Sequence, residues 1–222
     1  IDLSAYADSD GLPEVSGMQY LNGKVYAVVQ RLDMDNYFEP ADYSLLLKID
    51  AATGAIEKEI ALTAPNPSER LRYNQALSRL VLIETGSYMS VDDGGIELFN
   101  LEDDSLSGLI VTETALGGNV VDAVIASETK GYAIIAITGE ASMWTHVVSF
   151  APSTGTKLKD RLISGEWVYD TIELSPDGTE LWVSDRTALS PGVRIFDAAS
   201  DAEKAPQPID VGLPPASICF SE

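Results

Sequence analysis

Residues 33–39 read D-M-D-N-Y-F-E, and the oxygen donors Asp33, Asp35, Asn36 and Glu39 are close enough in sequence to wrap a hard cation such as Ca²⁺. The run lacks the sixth-position glycine and twelfth-position glutamate of an EF-hand loop, so a solvated acidic loop competes with the metal reading. General-base chemistry would fall to the one histidine, His146, with Asp170 or Asp185 orienting its ring; the competing reading is a histidine in a loop or edge strand. There is no G-x-S-x-G elbow and no Walker A motif. Paired carboxylates across a central mouth would be the remaining route to acid–base catalysis. The runs DSDG at 8–11 and VDDGG at 91–95 read first as turns.

Aromatic residues crowd the same stretches. Tyr37, Phe38 and Tyr43 fall in 31–44, Tyr88 in 84–95, Trp144 in 138–147 and Arg186 in 184–193. Asp92 and Asp93 add further acid to the second of these stretches. All four are long connections between apolar, β-rich runs, and long loops on a rigid scaffold are where binding groups concentrate. Glu14, Trp167 and Asp170 lie where the chain enters a strand, and are expected on the same rim. Trp144 suits stacking on a ligand, whereas Trp182 follows a strand alternation and is expected to pack.

Composition narrows the partner class. The chain has 222 residues, 35 acidic against 14 basic, and a formal net charge of −21. Such a surface repels phosphate backbones and anionic headgroups, which excludes nucleic acid and favours cations or cationic partners. One cysteine, Cys219, excludes an internal disulfide, and with one histidine it excludes a multi-ligand Cys/His zinc site. Cys219 lies among Ala216, Ile218 and Phe220 and is expected to pack as a small apolar residue. The apolar run near 132–137 is too short to cross a bilayer.

What positions these residues is a repeat. LLLKIDAATG, IELFNLEDD, HVVSFAPSTG and VRIFDAASD align Asp50, Asn100, Ala151 and Asp197 at intervals of 50, 51 and 46 residues. A β-branched run precedes each one (KVYAVVQ, RLVLIE, GYAIIAIT, ELWVSD), and another strand precedes that run. Four-stranded units at this period predict an all-β β-propeller. The boundaries are blades at 14–62, 70–116, 120–165 and 167–211, within a single domain or a fragment of one. The echo of DGLPEVSG in VGLPPASI, four repeats later, predicts that 1–10 is the last strand of a preceding blade. By the same echo, 215–222 is the first strand of a following one. Further blades would then belong to a larger ring or come from another chain.

The D-x-x-T-G turn at Asp50–Gly54, the stretch SPDGTELWVSD at 175–185 and the apolar strand before each turn resemble bacterial YncE-like, YVTN-repeat propellers. IDLSAYADSDGLPE and QRLDMDNYFEPADYSLLLKID are similar to uncharacterised secreted or lipoprotein propellers. The resemblance implies about seven blades and an extracytoplasmic setting, either periplasmic, secreted or surface-anchored. The expected function is non-enzymatic binding of a protein or other macromolecule through the long-loop face. The rivals are a metal-dependent, lactonase-like or lyase-like enzyme and a structural subunit completed by another chain.

Overall fold

The computed structural model describes residues 1–40, 43–138 and 142–220. The chain divides into two compact units, Ile1–Glu113 and Thr114–Glu222. Both are built of antiparallel sheets, as the alternating apolar runs require.

In the first unit, β1 (Val15–Leu21), β2 (Lys24–Val29), β5 (Leu45–Asp50) and β6 (Ile56–Ala61) form one four-stranded sheet in that order. A two-stranded hairpin, β3 (Leu32–Asp33) and β4 (Glu39–Pro40), stands in the long β2–β5 connection. The second sheet runs β7 (Arg72–Asn74), β8 (Arg79–Glu84), β9 (Gly95–Asn100) and β10 (Ser105–Thr112). The two sheets bury Tyr26, Val28 and Leu46 of one against Leu80, Leu82 and Phe99 of the other. The opposite face of the first sheet carries Ala27, Val29, Leu45, Leu47 and Ile49, partly covered by Leu3 and Tyr6. In register with Ala27 and Val25 on β1 lie Met18 and Tyr20, both well exposed.

The second unit holds β11 (Asn119–Ser127), β12 (Lys130–Thr138), β13 (Met143–Ala151) and β14 (Thr156–Glu166) as a four-stranded sheet. Beside it β15 (Tyr169–Leu174), β16 (Glu180–Asp185) and β17 (Gly192–Asp197) make a three-stranded one. Val124, Tyr132, Ile134 and Val147 pack there against Tyr169, Ile172, Leu181, Val183 and Phe196.

The repeated turns close as their chemistry dictates. Asp50 Oδ1 accepts from Thr53 N (2.9 Å) and Thr53 Oγ1 (2.8 Å), and Gly54 takes the left-handed φ of 73°. Asp197 does the same with Ser200 N and Oγ at 2.8 and 2.7 Å.

Three expectations about strands need correction. Residues 1–10 are not a strand: Ser4–Tyr6 form a 3₁₀ turn that lays Leu3 and Tyr6 on the apolar face of the first sheet. Residues 215–220 are not a strand either; Phe220 stacks edge-on against Trp182 with ring centroids 5.2 Å apart, and Thr171 Oγ1 donates to Ala216 O. A strand exists only through a ladder, and neither segment has a ladder partner among the described residues. The fourth repeat's outer strand is reduced to single bridges, Phe196 with Glu203 and Val193 with Ile209. The intervening K-A-P-Q-P supplies two prolines that cannot donate to a ladder. Cys219 is exposed rather than packed.

Candidate functional site

In the long connection at 31–44, the described residues 31–40 are held by the acids around them. Asp33 Oδ1 accepts from Asp35 N and Asn36 N, both at 3.1 Å, which caps the turn Met34–Asn36. Phe38 N donates to Asp33 O at 2.9 Å and closes the β3–β4 hairpin. The closing residues Tyr37 and Phe38 have φ of 59° and 61°, a left-handed conformation unfavourable for bulky side chains.

The hairpin is stitched to the turn at 8–14. Asp10 Oδ2 accepts from Met34 N (3.0 Å), Glu14 Oε2 accepts from Leu32 N (3.1 Å), and Ser9 Oγ reaches Asp33 Oδ2 at 3.5 Å. Asp10 also fixes its own turn by accepting from Leu12 N at 2.8 Å. Between the two segments lies a recess of about 370 Å³ lined by Asp8, Arg31, Asp33, Asn36 and Glu39. Arg31, on the recess wall, is tied to Tyr43, with Nη1 donating to Tyr43 O and the guanidinium 4.3 Å from the centre of the Tyr43 ring, so three carboxylates there face one guanidinium. Burial raises the Asp8 carboxyl above the usual carboxylate range, helped by Asp10 and Asp33. Glu14 is raised for the same reason, with Asp10 and Asp8 adding to the burial. Asp10 is lowered by the amides of Leu12 and Met34. The recess is therefore electronegative and concentrates cationic groups.

Of the four proposed cation ligands, Asp33, Asn36 and Glu39 line this recess, while Asp35 does not. Asp33 Oδ1 is already used as a cap, and among the described residues no three Asp, Glu, His or Cys side chains are arranged to hold a metal ion. Of the proposed Ca²⁺ set Asp33, Asp35, Asn36 and Glu39, Asp33 turns inward to the amides of Asp35 and Asn36, which would otherwise go unpaired.

In the second unit, His146 lies inside β13 rather than in a loop, paired with Ile135 and Ser164. Burial lowers its pKa, and the nearby charges that act on it are Arg161 and Lys157. Neither carboxylate orients it. Asp170 pairs with Arg186 at 3.3 Å, and Asp185 is fully buried, bonding Arg194 Nε at 2.6 Å and Thr187. Trp144 belongs to β13 and is 42% exposed; Trp167, with φ of 48°, is 60% exposed. Tyr88 is exposed in the β8–β9 connection. The remainder of the 138–147 connection, residues 139–141, lies outside the described residues.

Two features escaped the sequence reading. The alliance of Asp8 and Asp10 with Asp33 joins segments far apart in sequence; the D-x-D-G-x-x-E spacing from Asp8 to Glu14 was its one local signal. The second is a pair of fully buried glutamates, Glu84 and Glu97, on neighbouring strands of the β7–β10 sheet.

No family model and no curated protein matches the chain. Solved structures do. Hydrazine synthase of Kuenenia stuttgartiensis aligns with a TM-score of 0.58 at 15% identity, over 89% of this chain and 50% of that one. A puromycin-hydrolysing peptidase of Mycobacterium tuberculosis gives 0.55 at 12%, over 90% and 31%. The dihydro-heme d1 dehydrogenase NirN gives 0.52 at 13%, over 88% and 38%. The chain thus spans half or less of the length of these structures. They are propeller proteins of mixed function, so the likeness carries the fold and no activity.

Proposed function

We propose that this chain is a non-enzymatic, extracytoplasmic binding propeller. Its repeats act as blades of a larger ring of about seven, and its long connections capture a protein or other macromolecular partner. The observation that supports this reading is the β3–β4 tip. Tyr37 and Phe38 are 91% and 56% exposed and adjacent in a strained backbone, on a hairpin fixed by Asp10, Glu14 and Asp33. Strain of this kind costs on the order of 1 kcal/mol or more per residue, and the free protein leaves the Tyr37 ring and more than half of Phe38 in water. A rigid aromatic anchor beside an electronegative recess suits a basic partner, with the rings supplying affinity and the acids steering encounter. The extracytoplasmic setting and the YncE-like, YVTN-repeat kinship rest on the sequence motifs.

The test is capture by the immobilised protein from a secreted or cell-envelope fraction, wild type against the double variant Tyr37→Ala/Phe38→Ala. Loss of the anchors lowers capture about tenfold or more while circular dichroism stays unchanged. Undiminished capture would sink the reading.

The structural-subunit reading draws support from the apolar β1 face at Met18 and Tyr20, which a further blade would cover.

A further inference from the structure

Glu84 ends β8 and Glu97 lies on β9, on the same side of the sheet as Leu80, Leu82 and Phe99; neither is exposed at all. Both reach the crossover that leads from β6 into β7. Glu84 Oε2 accepts from Ala64 N at 2.7 Å, while Glu97 accepts from Thr63 N at 3.2 Å and Thr63 Oγ1 at 2.5 Å. The crossover in turn holds the start of the β8–β9 connection. Thr85 N donates to Asn66 O, Gly86 N to Pro65 O, and Asn66 Nδ2 to Gly86 O.

Charge does not balance around this pair. Among the described residues, Glu84 Oε1 is buried with no donor facing it, and the charged group acting on Glu84 is Glu97. The facing sheet offers Val28, Leu46 and Ile60 there, and its Lys48 and Lys58 are bound to Asp104 at the other end of the strands. Glu113, also buried, lies against Gly94, where a Cβ would come within 2.7 Å of its carboxyl and 2.4 Å of Glu84 O; being an acid, it is no countercharge for the pair. Two ionised carboxylates cannot share a dry site without a cation.

We propose that Glu84 and Glu97 hold a single proton between them and form a pH-sensitive latch that clamps the 62–67 crossover and, through Asn66, the base of the Tyr88 loop. Burial, then the Glu97 charge, pushes Glu84 up to about 10 from its ordinary 4.5. Below 4.5 the closed and open forms both carry the proton; above it only the closed form does. Closure is therefore strongest at low pH and is lost as pH rises toward 10, with opening favoured by up to about tenfold per pH unit.

Hydrogen exchange of the 62–67 amides, corrected for intrinsic rate, reads the latch directly. In the wild type their protection falls at least about tenfold between pH 6 and pH 9. In Glu84→Gln, which keeps an acceptor for Ala64 N and gives Glu97 a donor, protection is flat over that range. A wild type that is flat, or a variant that falls in parallel with it, would overturn the proposal. An independent readout needs no variant to fold: the infrared carbonyl band of an un-ionised carboxylic acid persists in the wild type at pH 7. Absence of that band means that the pair is ionised, and the latch is then wrong.

Discussion

The second and fourth repeats solve the same problem with opposite chemistry. Glu84 pairs with Gly95 and Leu82 with Glu97; in the fourth repeat Asp185 pairs with Gly192 and Val183 with Arg194. With Asn100 aligned on Asp197, Glu84 corresponds to Asp185 and Glu97 to Arg194. One site therefore holds acid against acid, and the other acid against guanidinium at 2.6 Å. The first and third repeats fill the two sites with Val29 and Leu47, and with Ile135 and Val148. The backbone tolerates all three fillings, so what the position does is set by charge balance, not by the strand. Arg194 compensates Asp185 at any moderate pH, whereas the glutamate pair is compensated only by a proton.

The largest expected effect comes from breaking the balanced site. Asp185→Ala leaves Arg194 largely buried with Glu203 as its remaining carboxylate partner among the described residues, and costs about 3 kcal/mol. All three tryptophans lie in the second unit, so urea unfolding followed by tryptophan fluorescence reports that change locally. The unbalanced site behaves differently. Glu84→Leu strands the Ala64 amide and costs about 1–3 kcal/mol at pH 5. The deficit shrinks toward pH 9, because the wild type itself weakens as its proton becomes harder to keep. A deficit independent of pH would remove the contrast between the two sites.

The far ends of the same repeats sharpen the comparison. Asp104 and Asp201 occupy matching turn positions, both with left-handed φ, and each grips a lysine from the preceding sheet. Tyr132 donates to Asp201 Oδ1 (2.8 Å) and approaches Ala198 O, and burial then the Asp201 bond raises its pKa. Its counterpart Tyr26 is raised by burial, without a bond to Asp104. Tyr132→Phe therefore costs about 1 kcal/mol and Tyr26→Phe a few tenths, measured by thermal unfolding of each variant. The smallest effect is a gain: Tyr37→Asn relieves the left-handed backbone by a fraction of about 1 kcal/mol.

Much of the fold could be read in the residues. The β-branched runs, the D-x-x-T-G turn and its relatives are local signals: alternation fixes the strands, and Asp50 bonding Thr53 fixes the turn within four residues. Strand β8 follows RLVLIE to the residue, and the glutamate ending that run gave no sign of being buried. The 1–10 segment shows the converse. Its likeness to a strand was real in composition, but a strand needs a neighbour's amides and carbonyls, and its apolar residues found a sheet face instead.

Composition and spacing by themselves determined an all-β chain of repeated antiparallel strands, a strongly acidic charge balance, and loops rich in aromatics and carboxylates. Tertiary structure alone decided which carboxylates share space: Asp10 and Asp33 across the hairpin, Glu84 and Glu97 across a strand pair, Asp185 with Arg194. Strand identity depends on neighbours within a few residues. A carboxyl's charge depends on burial and on what faces it across the fold, which sequence distance does not encode.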